Sequence, residues 1–143
     1  MSKRNKWRTK EAVKIAQEAG LKALRTGAEA ILTEAIDETP IDTGTLRRSG
    51  TVTVGALPDG ARVYESAAAG TEMKDAYPGK EGKEKAVYIS FNTSYARGQH
   101  EELDYRHPRG GKAKYLEDPF RRNEKKVLKY VDKQIKKALH DAP

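Results

Sequence analysis

TKEAVKIAQEAGLKALRTGAEAILTEAIDE, residues 9–38, buries its apolar side chains only as a helix. Val13, Ala16, Gly20, Leu24, Gly27, Ile31 and Ala35 recur at steps of three and four, which sets them on one stripe. Ile15, Leu21, Ala28, Leu32 and Ile36 widen that stripe, so this helix is covered on more than one side. Thr9 suits the N-cap, and Pro40 stops the helix by lacking an N–H and by pushing Thr39 out of the α region. Gly20 and Gly27 each cost about 1 kcal/mol relative to alanine inside a helix. Two readings stay open for them: a close approach by another element, or a weakened helix.

Downstream, Pro40-Ile41-Asp42-Thr43-Gly44-Thr45-Leu46-Arg47-Arg48-Ser49-Gly50 reads as a sharp turn and a short helical turn capped by Asp42, with Leu46 as its core anchor. Thr51 to Val54 alternates like a strand. Pro58-Asp59-Gly60 signals a turn, and Ala61 to Tyr64 is expected to return as the second strand of a hairpin. Residues 65–84 have no period and are expected to form a long flexible loop. Lys85 to Phe91 is the clearest strand, with Val87, Ile89 and Phe91 on one face. A short helix over 95–102 and a loop over 106–111 precede a second long helix. In that helix Asp118 is expected at the N-cap and Pro119 at the first position. Phe120, Val127, Leu128, Val131, Ile135 and Leu139 form its apolar stripe. The pattern gives an α+β fold, in which long N- and C-terminal helices pack on a small antiparallel sheet. One domain spans 9–143, behind a basic N-terminal tail of residues 1–8.

The composition narrows what such a domain does. The 143 residues are 36% hydrophobic and 34% charged, with a mean hydropathy of −0.86. This suits a single modest core with a heavily charged surface, or a domain that completes its burial against neighbours. A net charge of +7 favours acidic partners. No apolar run approaches the roughly 20 residues of a spanning helix, and the basic N-terminus lacks the apolar stretch of a signal peptide. Cysteine is absent, which removes disulfides and thiolate chemistry together.

The residues themselves raise three chemistries. Asp42-Thr43-Gly44 is the tripeptide of retroviral-type aspartic proteases, whose paired aspartates share a proton and activate water. That chemistry needs the tripeptide between hydrophobic strands. Here a helix ending at Pro40 precedes it and Thr45-Leu46-Arg47-Arg48 follows. His100, Glu101, Asp104 and His107 lack any metal-ligand spacing such as H-E-x-x-H, so a His–carboxylate contact or plain solvation explains them better. The serious rival is nucleic acid. Lys3, Arg4, Lys6 and Arg8 with Trp7 form a basic start, and Lys125, Lys129, Lys133 and Lys136 stand out in the Lys-rich last helix. Such patches bind phosphate without reading sequence, so a small non-sequence-specific DNA-binding protein is the alternative function. An exposed helix face explains Lys at this density equally simply. No residue set points to catalysis, a cofactor or a metal.

Two segments resemble a known family. The first is Pro40-x-Asp42-Thr43-Gly44-x-Leu46-x-x-Ser49, directly after the N-terminal helix. The second runs Tyr95-Ala96 … His100-Glu101 … Arg106-His107-Pro108-x-Gly110-Gly111-x-Ala113-Lys114-Tyr115-Leu116-Glu117-x-Pro119-Phe120 into the last helix. Together, in this order, they resemble the head–tail joining proteins of siphophages, also called minor capsid, tail-component or tail-completion proteins. The resemblance covers roughly Thr9 to Leu139. It implies a structural virion protein that acts in the neck as one subunit of a ring, commonly a hexamer, coaxial with the DNA channel. Its implied partners are copies of itself, a portal-side connector or stopper, a tail terminator or tail-tube protein, and channel DNA. The motif residues are then expected to serve assembly, with the Lys and Arg residues above meeting DNA or an acidic ring.

Overall fold

The computed structural model describes residues 3–41, 44–73, 82–93, 96–101, 111 and 113–142. Its elements in chain order are α1 (Lys3–Glu38), α2 (Thr45–Arg48), β1 (Gly50–Val54), α3 (Gly60–Ala68), β2 (Val87–Phe91), α4 (Ala96–Glu101) and α5 (Glu117–Asp141). The fold is α+β, with two long helices and a small antiparallel sheet.

Helix α1 runs for 36 residues, about 54 Å at the usual rise. It begins at Lys3, so the stretch read as a basic tail supplies its first turns. Lys and Arg are good helix formers, and extending an existing helix costs far less than starting one. At its other end Thr39 Oγ1 donates to the Ala35 carbonyl (2.6 Å). Arg47 of α2 reaches back and donates from Nε to the Thr39 carbonyl (2.7 Å) and from Nη2 to the Asp37 carbonyl (3.0 Å). Carbonyls that every helix C-terminus leaves unpaired are thereby satisfied, by a cation at the negative end of the dipole.

The most extensive packing is between α1 and α5. Gly27 faces Val127 and Gly20 faces Ile135, so the helices run antiparallel. A Cβ built on Gly27 would lie 2.5 Å from Val127 Cγ1. Gly27 therefore serves close approach, which settles one of the two open readings. The apolar stripe of α5 divides. Val127, Val131 and Ile135 are half-buried, whereas Phe120, Leu128 and Leu139 are 46%, 58% and 41% exposed.

Strands β1 and β2 pair antiparallel, with Gly50 opposite Phe91, Val52 opposite Ile89 and Val54 opposite Val87. That face packs on α1: Ala28, Leu32 and Val52 are buried, with Ile36, Val87, Ile89 and Phe91 against them. The expected hairpin is corrected here. Residues 61–64 lie in α3, because Asp59, read as a turn residue, caps a helix. Its carboxylate accepts from the Arg62 N–H (3.4 Å), and Val63 and Ala67, one turn apart, are buried. Helix α3 also takes 65–68 out of the expected loop, of which 74–81 lies outside the described residues.

Three caps differ from expectation as well, the first being Thr9, which lies inside α1 and not at its start. The N-cap of α2 is Gly44, at φ 85°, with no side-chain bond, while Asp42 and Thr43 lie outside the described residues. Helix α5 starts two residues early, at Glu117 after Leu116, because a turn over 113–116 leads straight into it. Asp118 therefore sits in its first turn, where its charge suits the helix dipole.

Candidate assembly site

The two motif segments lie more than forty residues apart in sequence and fold against each other at one end of the molecule. Their hub is Tyr115, 1% exposed. Its hydroxyl donates to the Ala96 carbonyl (2.7 Å), and its ring meets Phe91 and His100 edge-on, each at 5.0 Å between centroids. Leu46 of the first segment, Ala96 and Tyr115 form a small second core, with Phe91 and Leu116 packed on it. Phe91 belongs to both cores and so couples the junction to the α1–sheet layer.

Backbone contact joins the segments too. Gly111, at φ 84°, lies so close to the end of α1 that an added Cβ would sit 2.5 Å from Pro40 Cα and 2.6 Å from the Thr39 carbonyl carbon. Only glycine meets both demands. Gly111 thus makes its close approach within the chain, to Pro40 of the first motif.

Ser49, fully buried, ties the first segment to the sheet. Its hydroxyl donates to the Leu46 carbonyl (2.7 Å) and accepts from the Asn92 N–H (3.0 Å). The Asn92 amide in turn donates to the Ser49 carbonyl (2.9 Å) and to the Thr51 and Ser90 hydroxyls (3.2 Å each). This network lashes α2, β1 and the end of β2 together.

On the outer side, His100 Nε2 accepts from the Glu117 N–H at the start of α5 (3.2 Å). Its Nδ1 therefore carries the proton and donates to Glu101 (2.8 Å). Lys114, whose N–H donates to the His100 carbonyl (2.7 Å), holds a left-handed φ of 57°. Its ammonium pairs with Glu101 and, at 3.4 Å, with Glu117, which also pairs with Arg121 (2.7 Å). The Lys114 contact, then the His100 contact, hold the Glu101 carboxyl below its usual range, and Glu101 raises Lys114. Beside this charged rim lies an open groove of about 630 Å³, floored by Val87, Ile89, Leu116 and Phe120.

Of the residues singled out from sequence, Pro40, Leu46, Ser49, Gly111, Leu116 and Pro119 are buried or half-buried within the chain, apart from the exposed Gly111 backbone. His100, Glu101, Lys114 and Phe120 line the groove. Tyr95, His107, Pro108 and Gly110 lie outside the described residues. Arg8 is exposed, and the side chains of Lys3, Arg4 and Lys6 lie outside the described ones. Lys125, Lys129, Lys133 and Lys136 all face solvent, Lys136 paired with Asp132 (2.9 Å). Tyr115 stands inside the second motif with no sequence signal of its anchoring role, and Asn92, just beyond β2, carries none of its bonding role either. Among the described residues no group of His, Asp and Glu is placed to hold a metal ion.

Neither a curated protein nor a solved structure matches the chain. A family model does, over residues 6–118, and its description is "Bacteriophage HK97-gp10, putative tail-component". That span takes in most of α1, the sheet, the first motif segment and the second up to Asp118. The chain belongs to the HK97-gp10-like family of bacteriophage tail components.

Proposed function

We propose that the chain is a structural subunit of an oligomeric ring in the phage neck, completing the tail and joining it to the head connector. The observation that carries this reading is the junction. Motif residues that in an enzyme would surround a substrate are spent here on holding α1, the sheet and α5 at fixed angles. The result is a rigid wedge with a charged surface and one thin core. Such a wedge gains by assembly, since neighbours supply the burial that one chain lacks. Its partners in this reading are copies of itself, a portal-side connector or stopper, and a tail terminator or tube protein, all within the virion. A copy number of six is the expectation from the resemblance.

The test is genetic. Particles made without this chain should accumulate as filled heads and separate tails, and the chain supplied in trans should restore joined virions. Joined, infectious particles formed in its absence would contradict the reading.

A further inference from the structure

Helix α5 carries a basic row along one edge of its seam with α1, and two exposed leucines lie on the same edge. Between Arg121 and Lys137 eight cations stand against two acids, Glu124 and Asp132. Leu128 and Leu139, 58% and 41% exposed, are separated by three turns, about 16 Å along the axis. At 100° per residue they project within about 20° of each other, and Lys125, Lys129 and Lys136 project beside them within a sector of about 40°. Ile135 of the α1 seam projects within about 20° of Leu128, so the two leucines form an exposed apolar rim to that seam, which a neighbour can cover. A face kept for nucleic acid needs the cations alone, because phosphate contacts dominate such binding.

We infer that this side of α5 docks onto an acidic protein surface that offers apolar sockets between its carboxylates, an inference that rests on the assembly reading. Charge complementarity identifies the occupant as a different protein. Each copy of this chain carries +7, so two α5 faces repel. Five of the chain's own acids are, in addition, engaged at home. Glu29 pairs with Arg25, Glu34 and Glu38 with Arg122, and Glu101 and Glu117 with Lys114. The partner's carboxylates meet the lysine row and steer encounter, while the two leucines supply the apolar centre of the contact.

Two variants separate the possibilities. Leu128→Ser with Leu139→Ser removes the apolar centre and leaves every charge. Lys125→Gln, Lys129→Gln, Lys133→Gln and Lys136→Gln do the reverse. Both leave Val127, Val131 and Ile135 in the α1 seam, and circular dichroism checks that each variant folds. Each is supplied in trans to phage lacking the chain, and its incorporation into particles is measured by quantitative mass spectrometry. Binding of the purified proteins to a 30-base-pair duplex is titrated over a salt series. Both variants should lower incorporation at least about tenfold, with duplex binding weak throughout. Normal incorporation of the leucine variant overturns the docking face. So does tight, salt-steep duplex binding that the glutamine variant alone loses, which would assign the face to DNA. Absence of the unsubstituted chain from particles would instead contradict the assembly reading itself.

Discussion

Tyr115 ties two elements together, through its ring to Phe91 of β2 and through ring and hydroxyl to His100 and the Ala96 carbonyl of α4. Truncation to alanine should cost about 3–5 kcal/mol, as for other large core aromatics. Tyr115→Phe should cost about 1 kcal/mol, the net worth of one hydrogen bond. Urea unfolding of the two variants checks the pair, and equal losses would show that the ring contributes nothing. His100 makes a different kind of contact, accepting a helix N-terminal N–H. His100→Ala should cost about 1–3 kcal/mol by leaving that donor unsatisfied, also read by urea unfolding. The outer ion pair has a pH signature. Glu101 is lowered, so its contribution is present above the unfolded carboxyl range and lost as pH falls through the folded value. Lys114 is raised, so its share is present below the ordinary lysine range and lost only as pH rises through the higher folded value. The pair therefore supports the junction across neutral pH. Glu101→Gln should lower stability slightly at neutral pH and not at low pH, which flattens the acid limb; the loss is small because the pair is open to solvent, and urea unfolding across a pH series reads it.

At the scale of elements, α1 and α5 were legible because 3.6-residue periodicity needs only the local sequence. Strand β2 was legible from its alternation of Val87, Ile89 and Phe91. Its pairing with β1 was not. Ala61 to Tyr64 follows a turn signal and is too short to separate a period of two from one of 3.6. Asp59 caps and turns equally well, so nothing local excluded a hairpin. The actual pairing of β1 with β2 joins residues some forty positions apart, a tertiary choice made by burial on α1. The division of the α5 stripe escaped for a related reason, since periodicity marks apolar residues without saying which of them find cover. Two substitutions test these elements. Asp59→Ala should lower stability by about 1 kcal/mol through loss of the α3 cap. Gly27→Ala offers about 1 kcal/mol of helix propensity but drives a Cβ into Val127, so it should destabilise, and Val127→Ala should partly rescue it. Thermal melts of the single and double variants read this coupling, and a stabilised Gly27→Ala protein would mean that the seam is loose.

For the whole molecule, the motif segments were recognisable in sequence as a constellation, but their physical role was not. They were expected to serve contacts between subunits. Ser49, Tyr115 and Pro119 lie inside the chain, as does Leu46 in its expected place as core anchor, and Gly111 spends its freedom on Pro40. What is left for neighbours is the surface these residues hold in place, namely the groove beside β2, the charged rim and the outer face of α5. A protein with +7 net charge and a thin core should be a monomer or weak oligomer alone and should form its stable ring beside acidic neighbours. Sedimentation of the protein alone and mixed with connector and tail proteins reads this directly. Failure to co-sediment with any of them would count against it. The most direct measurement of the central claim is a cryo-electron microscopy reconstruction of the phage neck. The account predicts a closed ring of copies between connector and tail tube, each fitted by the antiparallel α1–α5 pair with the sheet on one side. A neck whose density is filled by other proteins, with this chain elsewhere or absent, would contradict it.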